Sequence, residues 1–170
     1  MPDSDRPADD RLRFAPMRRA DIDAVVRIET ESFPTPWHHG HFLHELDHNP
    51  YSVNRVLRCG GAVVGYASVW ILDAELQVNK IAIDPAHRRK GYGRRLMRRL
   101  LTLAAEMRCR RVSLEVRPTN REARKLYLKL GFVEAGRRAD YYGPGEPAIL
   151  MRWVLPEGEG DVVGPGRSEV

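Results

Sequence analysis

The chain has 170 residues, 42% of them hydrophobic and 30% charged, which is the size and composition of one soluble domain with a real core. No apolar run approaches the roughly 20 residues of a membrane-spanning helix, and the polar stretch Met1 to Asp10 carries no signal-peptide core. Cys59 and Cys109 stand far apart without metal-ligand spacing, which argues against a disulfide framework and for a reducing cytoplasm. The net charge is +5 and unevenly placed: His87 to Arg111 holds nine arginines and one lysine against one acid, Glu106. An anionic partner is expected there.

Residues 1–10 and 156–170 read as disordered tails, the second with four glycines and two prolines. Residues 11–155 read as one domain. A short strand is expected near Leu12–Met17, then a helix after Asp21, a candidate N-cap, with Ile22, Val25, Val26 and Ile28 as its apolar face. A loop, Ser32-Phe33-Pro34-Thr35-Pro36-Trp37, leads to a second helix over His39–Asp47, which Asn49-Pro50 ends. Strands follow at Val53–Arg58 and Ala62–Leu72 around a Gly60-Gly61 turn, and at Leu76–Ile83 before Asp84-Pro85. Gln77-Val78-Asn79-Lys80-Ile81 is too polar for simple alternation into a core, and a β-bulge would accommodate it. A long helix over Gly93–Met107 sets Leu96, Leu100 and Leu103 on one face. Strand Val112–Arg117, a helix Asn120–Leu130 closed by Gly131, and strands near Phe132–Tyr142 and Ala148–Leu155 complete the domain. A βαβα unit joined to antiparallel hairpins gives a mixed α/β sheet with helices on its faces.

The segment Ile81-Ala82-Ile83-Asp84-Pro85-Ala86-His87-Arg88-Arg89-Lys90-Gly91-Tyr92-Gly93-Arg94 is the most informative. A strand ends, a basic turn follows, and a helix begins, so several backbone N–H groups gather at the positive end of a helix dipole. Gly91 and Gly93 permit close approach of a ligand, and such a site suits a phosphate or pyrophosphate. By itself the pattern also fits a solvated basic turn. A P-loop would need Gly-x4-Gly-Lys-[Ser/Thr], and a dinucleotide fingerprint would need a third glycine; neither is present. What remains is Arg88-x-x-Gly91-x-Gly93.

That remainder resembles the pyrophosphate motif [Gln/Arg]-x-x-Gly-x-[Gly/Ala] of the GCN5-related N-acetyltransferases, the GNAT superfamily. The resemblance continues through Leu114-Glu115-Val116-Arg117-Pro118-Thr119-Asn120, Ala123, and Leu126-Tyr127-Leu128-Lys129-Leu130-Gly131-Phe132, and covers about Leu12 to Leu155. Arg138-Ala139-Asp140-Tyr141-Tyr142, Ala148-Ile149-Leu150-Met151, and Pro36-Trp37 with Phe42 are similar to the bacterial RimI-type subgroup, which acetylates the N-terminal alanine of a ribosomal protein. The resemblance implies a single-domain fold, a seven-stranded mixed, mostly antiparallel sheet with splayed central parallel strands and about four helices. It implies acetyl-CoA as acyl donor, no metal, and direct attack of the amine on the thioester.

Residue by residue, the resemblance places Ile81, Ala82, Ile83, Arg88, Arg89, Lys90, Gly91, Tyr92, Gly93, Arg94 and Asn120 at the cofactor. It gives Glu115 the role of base and Tyr127 that of acid, and it sets Trp37, Tyr141 and Tyr142 at the acceptor. An α-amine has a pKa of roughly 7.7–8.0 and lysine about 10.4, so attack needs a group to take a proton, and the leaving thiolate benefits from a donor. Other readings stand beside these. Alternation in Val112–Arg117 lets Glu115 face water. Tyr127 shares an apolar helix face with Ala123, Leu126 and Leu130 and fits a packed core tyrosine. Asn120 fits an N-cap, and the loop aromatics fit hydrophobic plugs. His44 and His48 are spaced i, i+4 without further ligands nearby, so they read as polar helix-face histidines.

Three functions compete. The first is acetylation of a protein N-terminal α-amine, with a ribosomal protein as partner and association with ribosomal particles through the basic helix. The second is acetylation of lysine side chains, polyamines or another small amine. The third is a basic nucleic-acid-binding module using Arg94, Arg95, Arg98 and Arg99, but no recognition-helix or stacking motif supports direct nucleic-acid specificity.

Overall fold

Alternating and helical apolar patterns resolve into seven strands and four helices in the computed structural model, which describes residues 11–156. In chain order they are β1 (Leu12–Pro16), α1 (Ile22–Ser32), α2 (His39–Asp47), β2 (Ser52–Cys59), β3 (Ala62–Leu72), β4 (Glu75–Ile83), α3 (Tyr92–Glu106), β5 (Arg111–Val116), α4 (Arg121–Lys129), β6 (Val133–Gly143) and β7 (Glu146–Val154). Apart from Pro156, the two expected tails lie outside the described residues. The strands form one sheet in the order β1-β2-β3-β4-β5-β7-β6. Every neighbouring pair is antiparallel except β4 and β5.

Local chemistry sets the hairpins. Gly60 and Gly61 both adopt positive φ, +58° and +89°, as a tight β2–β3 turn requires. The β3–β4 turn takes the same form with Asp73 and Ala74, at φ +50° and +60°. Alanine there gives no sequence signal, because a Cβ in this region is unfavourable.

The central pair decides the shape. Strands β4 and β5 bond only from Glu75↔Arg111 to Val78↔Leu114. Opposite β3, Val69 faces Val78 and Ser68 faces Lys80, so Asn79 is the extra residue of a bulge. Beyond it β4 continues with β3 alone, through Ile81, Ala82 and Ile83. Strand β5 continues with β7, through Glu115 and Val116. The two strands therefore part, and a cleft opens between them.

Helices cover both faces. Leu96, Met97 and Leu100 of α3 are fully buried, while Arg94, Arg95, Arg98 and Arg99 on its other side are exposed. Its apolar stripe packs on Leu76, Val78, Val112 and Leu114, and on Leu57 and Val64. Each such leucine contributes about 1.5–3 kcal/mol by burial. Ile22, Val25 and Ile28 of α1 pack with Phe42 of α2 against Val56 and Tyr66. Asp21 does not cap α1, contrary to the expectation from sequence. Its carboxylate accepts the Arg18 N–H at 2.9 Å and the Arg58 guanidinium at 2.5 Å, and its own backbone is already helical. A buried carboxylate beside an arginine takes the charged donor over a helix amide.

Helix α4 ends in a double hydrogen-bonded cap. The Phe132 N–H reaches the Tyr127 carbonyl at 3.0 Å and the Gly131 N–H reaches the Leu128 carbonyl at 3.1 Å, with Gly131 at φ +98°. The rings of Phe132 and Tyr127 then lie 5.7 Å apart. A Cβ at Gly131 would also stand 3.2 Å from the Trp153 indole nitrogen. Gly131→Ala should therefore lower unfolding free energy by about 1–2 kcal/mol, measured by urea denaturation; a neutral result would show that the turn relaxes freely.

Candidate active site

The basic turn before α3 is built by a buried acid. Asp84 is 4% exposed, accepts the Ala86 N–H at 3.0 Å, and pairs with Arg27 of α1 at 2.7 Å. The hydrogen bond from Arg27 holds its carboxyl below the usual carboxylate range, against the opposing effect of burial. Arg88 is spent on the protein: its Nε donates to the Ile83 carbonyl at 3.2 Å and its guanidinium to the Ser32 hydroxyl at 3.0 Å. The chain then passes through Arg89 at φ +61° and Gly91 at φ +76° into α3, whose first internal bond runs from the Arg95 N–H to the Gly91 carbonyl. Among the described residues, the amides of 89–94 donate to no backbone carbonyl. They lead into and open a 15-residue helix, at the positive end of its dipole.

Most of this segment borders a cavity of about 790 Å³, which also takes in Ile81, Ala82 and Ile83 on the β4 edge that β5 has left. Arg88, Arg89, Gly91, Tyr92, Gly93, Arg94 and Asn120 line it as well. Lys90 is the exception among the expected cofactor residues: it is exposed on the turn and outside the lining. Asn120 caps α4, its side-chain oxygen accepting the Ala123 N–H at 3.2 Å, so its amide nitrogen remains for the cavity.

A second cavity, of about 510 Å³, lies on the other side of the split and holds Trp37, Glu115, Tyr141 and Tyr142. Tyr127 and Asn120 line both, so the two cavities meet there. Glu115 sits on the polar face of β5, as alternation predicts, yet its side chain is only 5% exposed. It accepts the Gln77 amide at 2.7 Å and pairs with Arg138 at 3.5 Å. Tyr127 comes from the opposite face. It is buried, and its phenol is pushed up to about 12 by burial and then by Tyr142. Its hydroxyl has no hydrogen-bond partner among the described residues, so packing in the core leaves that group available at the split. Tyr141 and Tyr142 meet edge to face at 4.9 Å, and Arg117 lies 4.1 Å over the Tyr142 ring. Burial pushes Tyr142 up to about 12 and raises Tyr141, the latter with help from the facing Glu115 charge.

One cluster was not anticipated. Glu29 of α1 is fully buried and pairs with Lys80 at 2.8 Å, while accepting the Trp37 N–H at 3.0 Å and the Tyr66 hydroxyl. The Lys80 ammonium lies 4.3 Å from the Phe33 ring centre and 5.4 Å from that of Trp37. The loop that carries Trp37 is thus fastened to β3 and β4. The available signal was Glu29 seven residues after Ile22, on the apolar stripe of α1, and Lys80 inside a strand.

Geometry and sequence now converge on one class of enzyme. The model of the Acetyltransferase (GNAT) family matches residues 22–132, and the chain belongs to that family of N-acetyltransferases. Within it, the resemblance is to the RimI type. The chain is 42% identical over 139 residues to a Bacillus subtilis protein provisionally named ribosomal protein bS18-alanine N-acetyltransferase, covering 81% of this chain and 91% of that one. It is 39% identical over 143 residues to N-alpha-acetyltransferase RimI of Mycobacterium tuberculosis, covering 80% and 88%. The crystal structure of the ribosomal-protein-S18-alanine N-acetyltransferase from Escherichia coli superposes with a TM-score of 0.78 at 28% identity, over 88% of this chain and 97% of that one.

Asp84 gives the site a pH signature. Its folded pKa lies below the unfolded value of about 3.9. Its stabilisation is therefore present above about pH 4 and is lost as pH falls through the folded value. Because Arg27 is half exposed, Asp84→Asn should cost about 1–2 kcal/mol at pH 7. The gap to wild type should close below pH 4 in urea melts; a gap constant from pH 7 to pH 3 would contradict the assignment.

Proposed function

We propose that this enzyme transfers the acetyl group of acetyl-CoA to the α-amine of a protein N-terminus, that of a ribosomal protein beginning with alanine. The carrying observation is the meeting of two unlike cavities at Tyr127, one bordered by unbonded amides at a helix start, the other walled by aromatics around a carboxylate. The names of the relatives support the acceptor.

The donor side fits a CoA ester. The amides of Arg89 to Arg94 would hold the pyrophosphate, with Arg88 bracing the turn through Ile83 and Ser32. The β4 edge at Ile81, Ala82 and Ile83 presents backbone groups that β5 does not satisfy, and an extended amide-bearing arm can pair there as a strand would. The Asn120 amide faces the same space. When bound, acetyl-CoA supplies the activated thioester carbonyl.

On the acceptor side, Trp37, Tyr141 and Tyr142 would flank the first residues of the peptide. Glu115 takes the proton the amine must lose, directly or through a water. Tyr127, with a phenol near 12, remains protonated throughout the working range. A thiol titrates near 8.5, so Tyr127 stabilises the departing sulfur by donating a hydrogen bond rather than by losing its proton for long. An α-amine is neutral far more often than a lysine side chain at neutral pH, which favours the first acceptor class. The exposed arginines of α3 supply a positive surface for association with ribosomal particles.

Acceptor choice is tested by mass spectrometry of peptides incubated with acetyl-CoA. Peptides with a free N-terminal alanine should be modified, and peptides with a blocked α-amine and a free lysine should react poorly; faster lysine modification would establish the side-chain alternative. Gly91→Val with Gly93→Val should abolish acetyl-CoA binding, read as loss of the ligand-induced rise in Tm. Glu115→Gln and Tyr127→Phe should each lower kcat by roughly 10²–10⁴-fold while acetyl-CoA still binds. Near-native kcat in folded Glu115→Gln would remove Glu115 from the reaction.

A further inference from the structure

Glu115 does not orient itself. It lies one residue beyond Leu114, the last residue of β5 bonded to β4, where the strand has lost its neighbour on that side. Gln77 belongs to the bonded stretch just before the split, paired with Ser113. Ser113 and Glu115 point to the same side of β5, so a long side chain at 77 can reach forward across the opening. The Gln77 side chain does so: its Nε2 donates to Glu115 Oε2 at 2.7 Å. An ionised carboxylate only accepts, so the amide must present its NH2 group and has one orientation available. Glu115 lines the acceptor cavity, and Gln77 does not.

We infer that Gln77 is the positioning residue for Glu115, holding one carboxylate oxygen from outside the acceptor cavity so that the carboxylate is presented to the incoming amine. The inference rests on the reading of Glu115 as base. Two other neighbours face the carboxylate: Arg138, 3.5 Å from Oε1 with a side chain 56% exposed, and the phenol of Tyr141, a residue 46% exposed. Arg138 and Tyr141 lie against each other on the exposed side, whereas Gln77 holds the carboxylate from the strand itself. Gln77 and Arg138 also differ in their effect on basicity. A cation in close contact strongly favours the ionised carboxylate and weakens it as a base, whereas a neutral amide orients it at a smaller cost in proton affinity. The short bond is the neutral one, and the cation stands further off.

The experiment uses the full chain, acetyl-CoA and a peptide beginning with alanine. Gln77→Met keeps the length of the side chain and removes the donor. It should lower kcat about tenfold, the loss of one well-made hydrogen bond to a charged group, with KM for acetyl-CoA and Tm unchanged. Gln77→Glu, which sets a second carboxylate against Glu115, should lower it further. The deciding measurement is the pair of variants combined: in a Glu115→Gln background, Gln77→Met should change kcat by less than about twofold, because its only route to the reaction has been removed. Equal losses in both backgrounds would overturn the inference, as would full kcat in Gln77→Met. Should Gln77→Met prove unstable, the same comparison is made with Gln77→Glu. A native kcat in Glu115→Gln alone would instead defeat the reading of Glu115, and a Gln77→Met loss that persisted there would assign Gln77 another role.

Discussion

Both cavities described above depend on a parallel strand pair that stops early. Four residue pairs join β4 to β5, and then each strand keeps only its outer neighbour. A sheet interior that ends in this way leaves backbone donors and acceptors facing one another across a gap. Such groups are costly to bury without partners, so the gap must be filled by water or by a ligand with amides of its own. The Asn79 bulge adds the extra residue and the twist that turn β4 away. Because β4 then delivers the chain into the turn before α3, the strand edge and the helix amides border one continuous cavity.

The split also brings together groups from opposite faces of the sheet. Glu115 comes from the face shared with α1 and α2, and Tyr127 from the face packed by α3 and α4. In an unbroken sheet a side chain on one face cannot meet one on the other. Here they border the same cavity. At the cavity beside Trp37, a buried ion pair serves as the fastening. Glu29 and Lys80 satisfy each other, and the Trp37 N–H and Tyr66 hydroxyl complete the carboxylate's coordination. Removing one member would leave an uncompensated charge, which costs about 3–5 kcal/mol in such settings. The cluster is a commitment to one loop conformation.

How much of this could be read from sequence varied with the range of the interaction. Strand β3 and helix α2 have the bounds their patterns gave, since periodicity and breakers are local. The polar run Gln77–Lys80 correctly pointed to a bulge in β4. Residues spaced along one motif, from Arg88 to Arg94, fall around one cavity apart from Lys90. Long-range pairings were invisible. Asp21 was expected to cap α1, but the arginine that captures it lies 37 residues later. Alternation put Glu115 on a polar face and could not show that Gln77 and Arg138 enclose it there. Ala74 in a turn with positive φ carries no compositional mark at all. At Asp21 a contact between distant elements outweighed the local preference; at Glu115 the local preference held and only its partners were hidden.

The hydrogen bond from Arg88 to Ser32 has a consequence for engineering. Ser32 is the last residue of α1 and opens the loop that carries Phe33 and Trp37. Arg88 belongs to the turn beside the helix amides. Loop grafting, the usual route to altered selectivity on a shared scaffold, treats those two parts as interchangeable modules. In this chain they share a joint. A transplanted loop that lacked a hydroxyl at its first position would release the Arg88 guanidinium, and the turn behind it would lose a brace on the side away from the graft.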